Sequence, residues 1–457
     1  MLAALAFRRR LTDHHDMTQS DAADDDYVTQ SDTVPEFFNY VRSLHADDLV
    51  AELLQNEIDA GSTHTVLVFG ADRLVCSGNG ASIDANGWKR LTFLRGAGDE
   101  VPQKKGLIGI KNHGLKACFT IGDSIFIRSG KLRTDQTLYK YGESKPPKPA
   151  ARKAATPDPG GPDAGCTIEV PYRRRQLVSN VGERVVLEVT TGEKIDALFA
   201  DAAATLVRRF IGTLRPDIRP RHVVELRHHR LGTIRFSFAT TRALNKGKFQ
   251  FFSRTCEISA PDGQQVVRER AVTRTIARPR GAQHNVPDFY VRKTRLAIEL
   301  AWAEGARGRI QAEPGELRYP IGYTLAGPET RSGFAVHYSA PFASDTERHG
   351  LAGQSEAWNQ YLREGCDALL VDAIAWLLGK ADLRPLDLLG VEDAPNERLV
   401  SMAVALAESR ALPSIPPRSK AGGAKGGVRR RWKRILVPST IAVPAIHSQA
   451  LADAAPP

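Results

Sequence analysis

Cysteine is scarce in this chain: five in 457 residues, Cys76, Cys118, Cys166, Cys256 and Cys366, with no C-x-x-C pair among them. That scarcity excludes a zinc ribbon and a disulfide framework, and it predicts reduced, half-buried thiols. Long hydrophobic runs are missing too. None approaches the ~20 residues a membrane span requires, and the opening stretch MLAALAFRRRLTDHH has an apolar patch too short and wrongly ordered for a secretory signal. The expectation is a cytoplasmic protein with no membrane partner. Aromatics are modest at 7%, yet 42% of the residues are hydrophobic. A chain of this length and composition can bury ordinary cores, and two domains with tails are expected.

Charge is what the sequence has in excess. The net charge of +11 suggests an acidic partner, because clustered Lys and Arg attract phosphates. Two clusters stand out: Arg173, Arg174 and Arg175 after an apparent strand, and VRRRWKR at 428–434 in a Gly/Pro-rich tail. The tail allows contact with nucleic acid, although no base-reading motif accompanies it. Solvated charge is the alternative for each cluster.

Composition also marks boundaries. Residues 1–34 are acidic and Ser/Thr/Asp-rich, which predicts disorder. Residues 142–165, GESKPPKPAARKAATPDPGGPDAG, read as a flexible insert. The expected division is a first domain at 35–175, a second α/β domain at 176–385 and a C-terminal segment at 386–457 that ends in the basic tail. Inside the first domain, VPEFFNYVRSL and ADDLVAELLQNEIDA show helical apolar spacing. THTVLVFG, RLVCSG and TIEVPYR read as strands, and GLKACFTIGDSIFIRSG as a helix running into a strand.

Three stretches carry candidate chemistry. In ELLQNEIDAG (52–61), Glu52, Asn56 and Asp59 lie at i, i+4 and i+7 on one helix face. LVCSGNGASID (74–84) carries a Gly-Asn-Gly turn, which an ordinary hairpin would explain equally well. In KGLIGIKNHGLKACF (105–119), Gly106, Gly109 and Gly114 precede an apolar helical run, so backbone amides and a helix start would converge on phosphate oxygens.

Taken in order, these stretches resemble the GHKL (Bergerat-fold) ATPases, the superfamily of gyrase, the ninety-kilodalton heat-shock chaperones, histidine kinases and MutL. GCTIEVPYR (165–173) resembles that fold's closing Gly-Thr strand. In the second half, GFAVHYSAPFASDTERHGLAGQSEAWNQYLREGCDALLVDAIAWLL (333–378) is similar to the segment after the ATPase domain in sacsin and NO VEIN-like proteins, matching at Phe342, Arg348, Trp358 and Asn359. GLKACFTIG is similar to MORC ATPases. The implied fold class is α/β: a Bergerat-fold ATP-binding domain, then a transducer-like α/β domain.

The resemblance implies roles. Glu52 would polarise the attacking water and Asn56 would offer an oxygen to Mg²⁺. Asp59 would brace the loop. Asn79 falls where many members have an Asp that reads the adenine amine, with Gly80 in the following turn. Residues 84–106 would form the ATP lid. Lys116 would neutralise phosphate charge, ahead of Lys104, Lys105, Lys111 and His113. Thr167 would contact the base, Cys166 standing where a Thr or Ser is usual. Arg348 would meet the γ-phosphate from the second domain. The implied function is ATP binding with slow Mg²⁺-dependent hydrolysis, driving lid closure and a chaperone-like or clamp-like change of shape. It also implies pairing of two chains as a homodimer on ATP binding, with the protein client unspecified. The alternatives are a nucleotide-dependent interaction module without hydrolysis and a nucleic-acid-associated ATPase of the same superfamily.

Overall fold

The computed structural model describes residues 27–30, 41–42, 48–90, 114–137, 148–149, 165–179, 185–241, 244–246, 248–280, 293–305, 309–311, 313–319, 323–324, 330–343, 351–377 and 385–389. The protein is a mixed α/β structure. Its chain divides into two compact units, the first formed by 1–209, 217–239 and 256–266, the second by 210–216, 240–255 and 267–457.

In chain order the first unit holds β1 (Tyr27–Gln30), α1 (Asp48–Asp59), β2 (His64–Phe69), β3 (Arg73–Gly78), α2 (Ala85–Arg90), a 3-10 helix at Gly114–Thr120, β4 (Ser124–Ser129), β5 (Leu132–Thr137), β6 (Lys148–Pro149), β7 (Cys166–Pro171), β8 (Gln176–Ser179), β9 (Val185–Leu187), α3 (Gly192–Phe210), β10 (Arg221–His228) and β11 (Gly232–Thr240). Its main sheet runs β11-β10-β2-β3-β7-β4-β5-β6, and β1, β8 and β9 form a small second sheet. β10 and β2 are parallel, whereas β2, β3, β7 and β4 are antiparallel neighbours. The expected boundary at 175 therefore lies inside this unit, because β8, β9 and α3 belong to it.

Helix α1 forms because its apolar residues repeat at helical spacing. Leu49, Leu53, Leu54 and Ile58 are all buried. It stops at Gly61, whose φ of 75° is the left-handed conformation a side chain disfavours. The Ser62 amide then returns to the Glu57 carbonyl at 2.9 Å and the Gly61 amide to the Ile58 carbonyl at 3.0 Å, so the helix ends sharply and β2 begins three residues on. Phe199 of α3 meets Phe69 of β2 edge-on at 5.4 Å. Strand alternation puts Phe69, Leu67 and Thr65 on that same face.

The second unit holds β12 (Leu244–Lys246), β13 (Phe249–Ala260), β14 (Gly263–Ala277), β15 (Arg295–Ala303), β16 (Leu317–Tyr319), β17 (Tyr323–Thr324), β18 (His337–Ser339) and α4 (Glu356–Leu377); the β13–β14 hairpin tip, 256–266, groups with the first unit. Strand order is β17-β16-β18-β15-β14-β13. Helix α4 packs on one face, where the Arg274 guanidinium pairs with Asp372 at 2.6 Å and the Tyr338 hydroxyl donates to Asp367 at 2.7 Å.

The opposite face of this sheet carries a buried charge layer. Arg254 pairs with Glu269 at 2.5 Å and with Glu299 at 2.7 Å, Arg318 pairs with Glu269 at 2.6 Å, and Arg215 pairs with Glu299 at 3.1 Å. Among the matched residues of the second half, Trp358 donates to the Pro341 carbonyl at 2.8 Å, and the Asn359 amide bonds both backbone groups of Ala343. Those two side chains fix where the strand-end segment leaves the sheet.

Candidate functional site

Three stretches distant in sequence meet at one end of the first unit's sheet. The Ala81 amide donates to the Ala60 carbonyl at 2.8 Å, and the Gly165 amide to the Gly78 carbonyl at 2.8 Å. The approach is close enough to require glycine at 165. A Cβ there would lie 1.7 Å from the Gly80 carbonyl oxygen. Gly80 serves the same packing, since a Cβ on it would stand 2.8 Å from that of Ala60. The end of α1, the turn after β3 and the start of β7 are thus locked together by backbone.

Register then decides what faces α1. Thr65, Gly78, Cys166 and Ser129 stand side by side across β2, β3, β7 and β4. All four are small. The next row inward, Leu67, Cys76, Ile168 and Ile127, is bulkier and fully buried. Strand period two puts both rows on the helix side and puts Ser77 and Thr167, which pair with each other, on the opposite face. The expected base contact from Thr167 is corrected accordingly: Cys166, one residue earlier, is the one beneath α1.

Glu57 fills the space over the row of small residues. It is 2% exposed, and a Cβ on Gly78 would lie 1.7 Å from its Oε2. Among the described residues that oxygen has no hydrogen-bond partner. Burial pushes the Glu57 carboxyl up to about 7. The same burial, with the Glu57 charge added to it, raises the thiols of Cys76 and Cys166. Every titratable group at this floor is therefore held towards its neutral form. The five cysteines are free and buried, more deeply than the sequence suggested.

Asn79 has a different task from the one expected. Its Oδ1 accepts the backbone N–H groups of Thr63 and His64, both at 2.9 Å, with Ser62 Oγ also at 2.9 Å, while its Nδ2 donates to Thr63 Oγ1 at 3.0 Å. An oxygen holding three partners has no lone pair left for a base amine. Asn79 braces the α1–β2 turn, and the correction follows from hydrogen bonds made 15 and 16 residues away. His222 of β10 supports the same turn: Nδ1 lies 2.8 Å from the Ser62 carbonyl and Nε2 3.2 Å from Thr65 Oγ1. Its burial lowers the imidazole to about 4, against a small opposing pull from the Ser62 carbonyl.

The remaining expected residues fall as follows. Glu52 and Asn56 are half-buried one helical turn apart on α1, and among the described residues no side-chain hydrogen bond involves Asn56. Asp59, at the end of α1, raises the guanidinium of Arg219, which burial lowers more; Arg219 itself donates to the Ile58 carbonyl at 2.8 Å. Lys116 is 1% exposed and has partners, so it is not a free cation. Gly114 opens the 3-10 helix. Gly106, Gly109, Lys104, Lys105, Lys111, His113 and Arg348 lie outside the described residues, as do most of the expected lid, the basic tail and nearly all of the insert.

Of the Arg173–Arg175 cluster, the first member turns inward, against the reading of all three as surface charge. Arg173 is buried, pairs with Asp123 at 2.6 Å, and donates to the Phe119 carbonyl at 2.6 Å and the Gly122 carbonyl at 3.1 Å. Thr190 Oγ1 adds a bond to the Ile121 carbonyl and Lys194 Nζ one to the Thr120 carbonyl. The C-terminal carbonyls of the 3-10 helix are thereby anchored.

Among the described residues no group of three His, Cys, Asp or Glu side chains is placed to hold a metal ion, and no helix is long and apolar enough to cross a membrane. Magnesium still fits the residues present, because it keeps several waters and takes one or two protein oxygens along with those of phosphates, and Asn56 offers such an oxygen. No family model matches the chain, and no curated protein matches it. Among solved structures the chain is similar to the B-subunit of the DNA gyrase from Myxococcus xanthus, with 13% identity, covering 73% of this chain and 89% of that one at a TM-score of 0.26.

Proposed function

We propose that the first unit binds ATP between α1 and the β3–β7 end of its sheet and hydrolyses it slowly. The observation that carries this reading is the convergence just described. The stretches ELLQNEIDAG, LVCSGNGASID and GCTIEVPYR, each weak alone, meet at backbone contact around Gly78, Gly80 and Gly165, beneath a helix that carries Glu52 and Asn56 one turn apart. Glu52 would orient and deprotonate the attacking water; a carboxylate on a rigid helix keeps a fixed angle to the phosphate. Asn56 would contribute an oxygen to the magnesium that accompanies the nucleotide. The metal supplies charge neutralisation on the phosphate oxygens. The output of such a site is a change of shape between bound states, with a chaperone-like or clamp-like use.

The test is ATP binding and phosphate release measured side by side. Glu52→Ala should hold ATP affinity within a few-fold while turnover falls by roughly 10² or more, the scale of a removed general base. Asn56→Ala should remove the magnesium dependence of binding. Binding without turnover in the wild type would leave a nucleotide-dependent interaction module in place of an ATPase, and no binding at all would end the reading.

A further inference from the structure

Glu57 plays no part in the reaction proposed above, and it is one of the first unit's buried groups with an unmet polar atom. Its carboxyl is enclosed between α1 and the sheet, one oxygen without a partner among the described residues. Leaving a buried acceptor unmet costs stability, and native structures rarely carry one without a reason. The floor beneath it has the opposite character to the rest of the sheet. Thr65, Gly78, Cys166 and Ser129 form a row of small side chains across four strands, and the carboxyl sits where a side chain at position 78 would otherwise be. Asn79, the neighbouring amide, already has its oxygen filled by the α1–β2 turn. Glu57 Oε2 is thus a carboxylate oxygen over this floor that has no partner among the described residues.

We propose that this recess is the base subsite of the nucleotide site, and that the Glu57 carboxylate accepts the exocyclic amine of adenine. The inference rests on the ATP-binding reading and deepens it. An amine-bearing heterocycle suits this carboxyl, whose Oε2 has no partner among the described residues, because in its ionised form a carboxylate can only accept, and so selects an N–H donor over a carbonyl at the same ring position. The reader therefore stands on the helix, one residue from Asn56, and not on the strand. Gly78 is required because any Cβ would take the volume the carboxyl occupies.

The experiment compares ATP with inosine triphosphate, which carries a carbonyl where adenine carries its amine, by equilibrium titration in magnesium on the full chain. The wild type should prefer ATP by about tenfold or more, the ratio that a buried unmatched polar group produces. In Glu57→Gln, whose amide can present either an acceptor or a donor, ATP should weaken, inosine triphosphate should strengthen, and the ratio should collapse towards one. Gly78→Ala, a second route to the same recess, should weaken ATP and ADP equally, since both share the base. If the wild type binds ATP and inosine triphosphate alike and Glu57→Gln moves neither, or moves both equally, the base subsite is wrong while ATP binding stands. If the wild type binds no nucleotide, the ATP-binding reading fails and the subsite with it.

Discussion

The two units bury ionisable groups in opposite ways. At the candidate site of the first, burial drives each group towards neutrality: Glu57 up to about 7, His222 down to about 4, and the thiols of Cys76 and Cys166 upwards. In the second, the buried layer stays charged. Burial alone would raise Glu269, but Arg318 and Arg254 outweigh it and hold the carboxyl at about 2. Arg215 is lowered to about 10 by burial and remains a cation. A neutral, under-partnered acid retains hydrogen-bonding capacity for something outside the chain. A charged layer whose members bridge β13, β14, β15 and β16 joins strands through ion pairs, although Arg318 Nε and Nη1 have no hydrogen-bond partner among the described residues. Buried polarity therefore marks a candidate site in one unit and a structural clamp in the other, and opposite charge within reach separates the two cases.

One substitution made in both units tests this contrast most severely. Glu269→Gln takes away the charge that Arg254 and Arg318 share, leaving Arg318 buried without its Glu269 counter-ion and Arg254 with Glu299 alone, at a cost of about 3 to 5 kcal/mol. A urea midpoint unchanged from the wild type would show that the layer is not a clamp. Next in size is the pH response of His222. The unfolded imidazole takes up a proton near pH 6.5 and the folded one only near pH 4. Between those values the unfolded state binds more protons, so stability is lost as pH falls through this window, by on the order of 3 kcal/mol for the full shift. His228 is lowered to the same value, chiefly by burial, and contributes with the same sign. The melting temperature of His222→Gln should therefore fall less than that of the wild type between pH 6.5 and 4; parallel curves would mean that His222 is not held neutral. Smallest is Glu57→Gln, which removes a carboxyl with few partners and should shift stability by under about 1 kcal/mol in either direction. A loss as large as that of Glu269→Gln would put Glu57 in the same class as the clamp and erase the difference between the units.

What could be read in advance was local. Alternating apolar residues gave β2, β3 and β7, and the Leu/Ile spacing of ELLQNEIDAG with its terminal glycine gave α1 and its stop. These depend on periods of 2 and 3.6 residues and on the backbone freedom of glycine, which are properties of the chain itself. The candidate site was legible as four stretches in order, of which 105–113 lie outside the described residues. Which side chains face it was not.

Asn79 was the expected reader of the base because the motif resemblance puts it where many members have an Asp, but its partners are Thr63 and His64 in a different turn. Thr167 and Cys166 are adjacent in sequence, and a single step of strand register sends one under α1 and the other to the far face. Arg173 sits in a run of three arginines that composition reads as surface charge, and it is buried against the carbonyls of Phe119 and Gly122. Sequence by itself determined the elements, their order and the helix that carries Glu52, Asn56 and Glu57. Only the tertiary structure decided that Glu57 lies over the row of small residues and that Asn79 does not. Hydrogen-bond partners and facing sides are set by which strands become neighbours, and that pairing joins residues tens of positions apart in the chain.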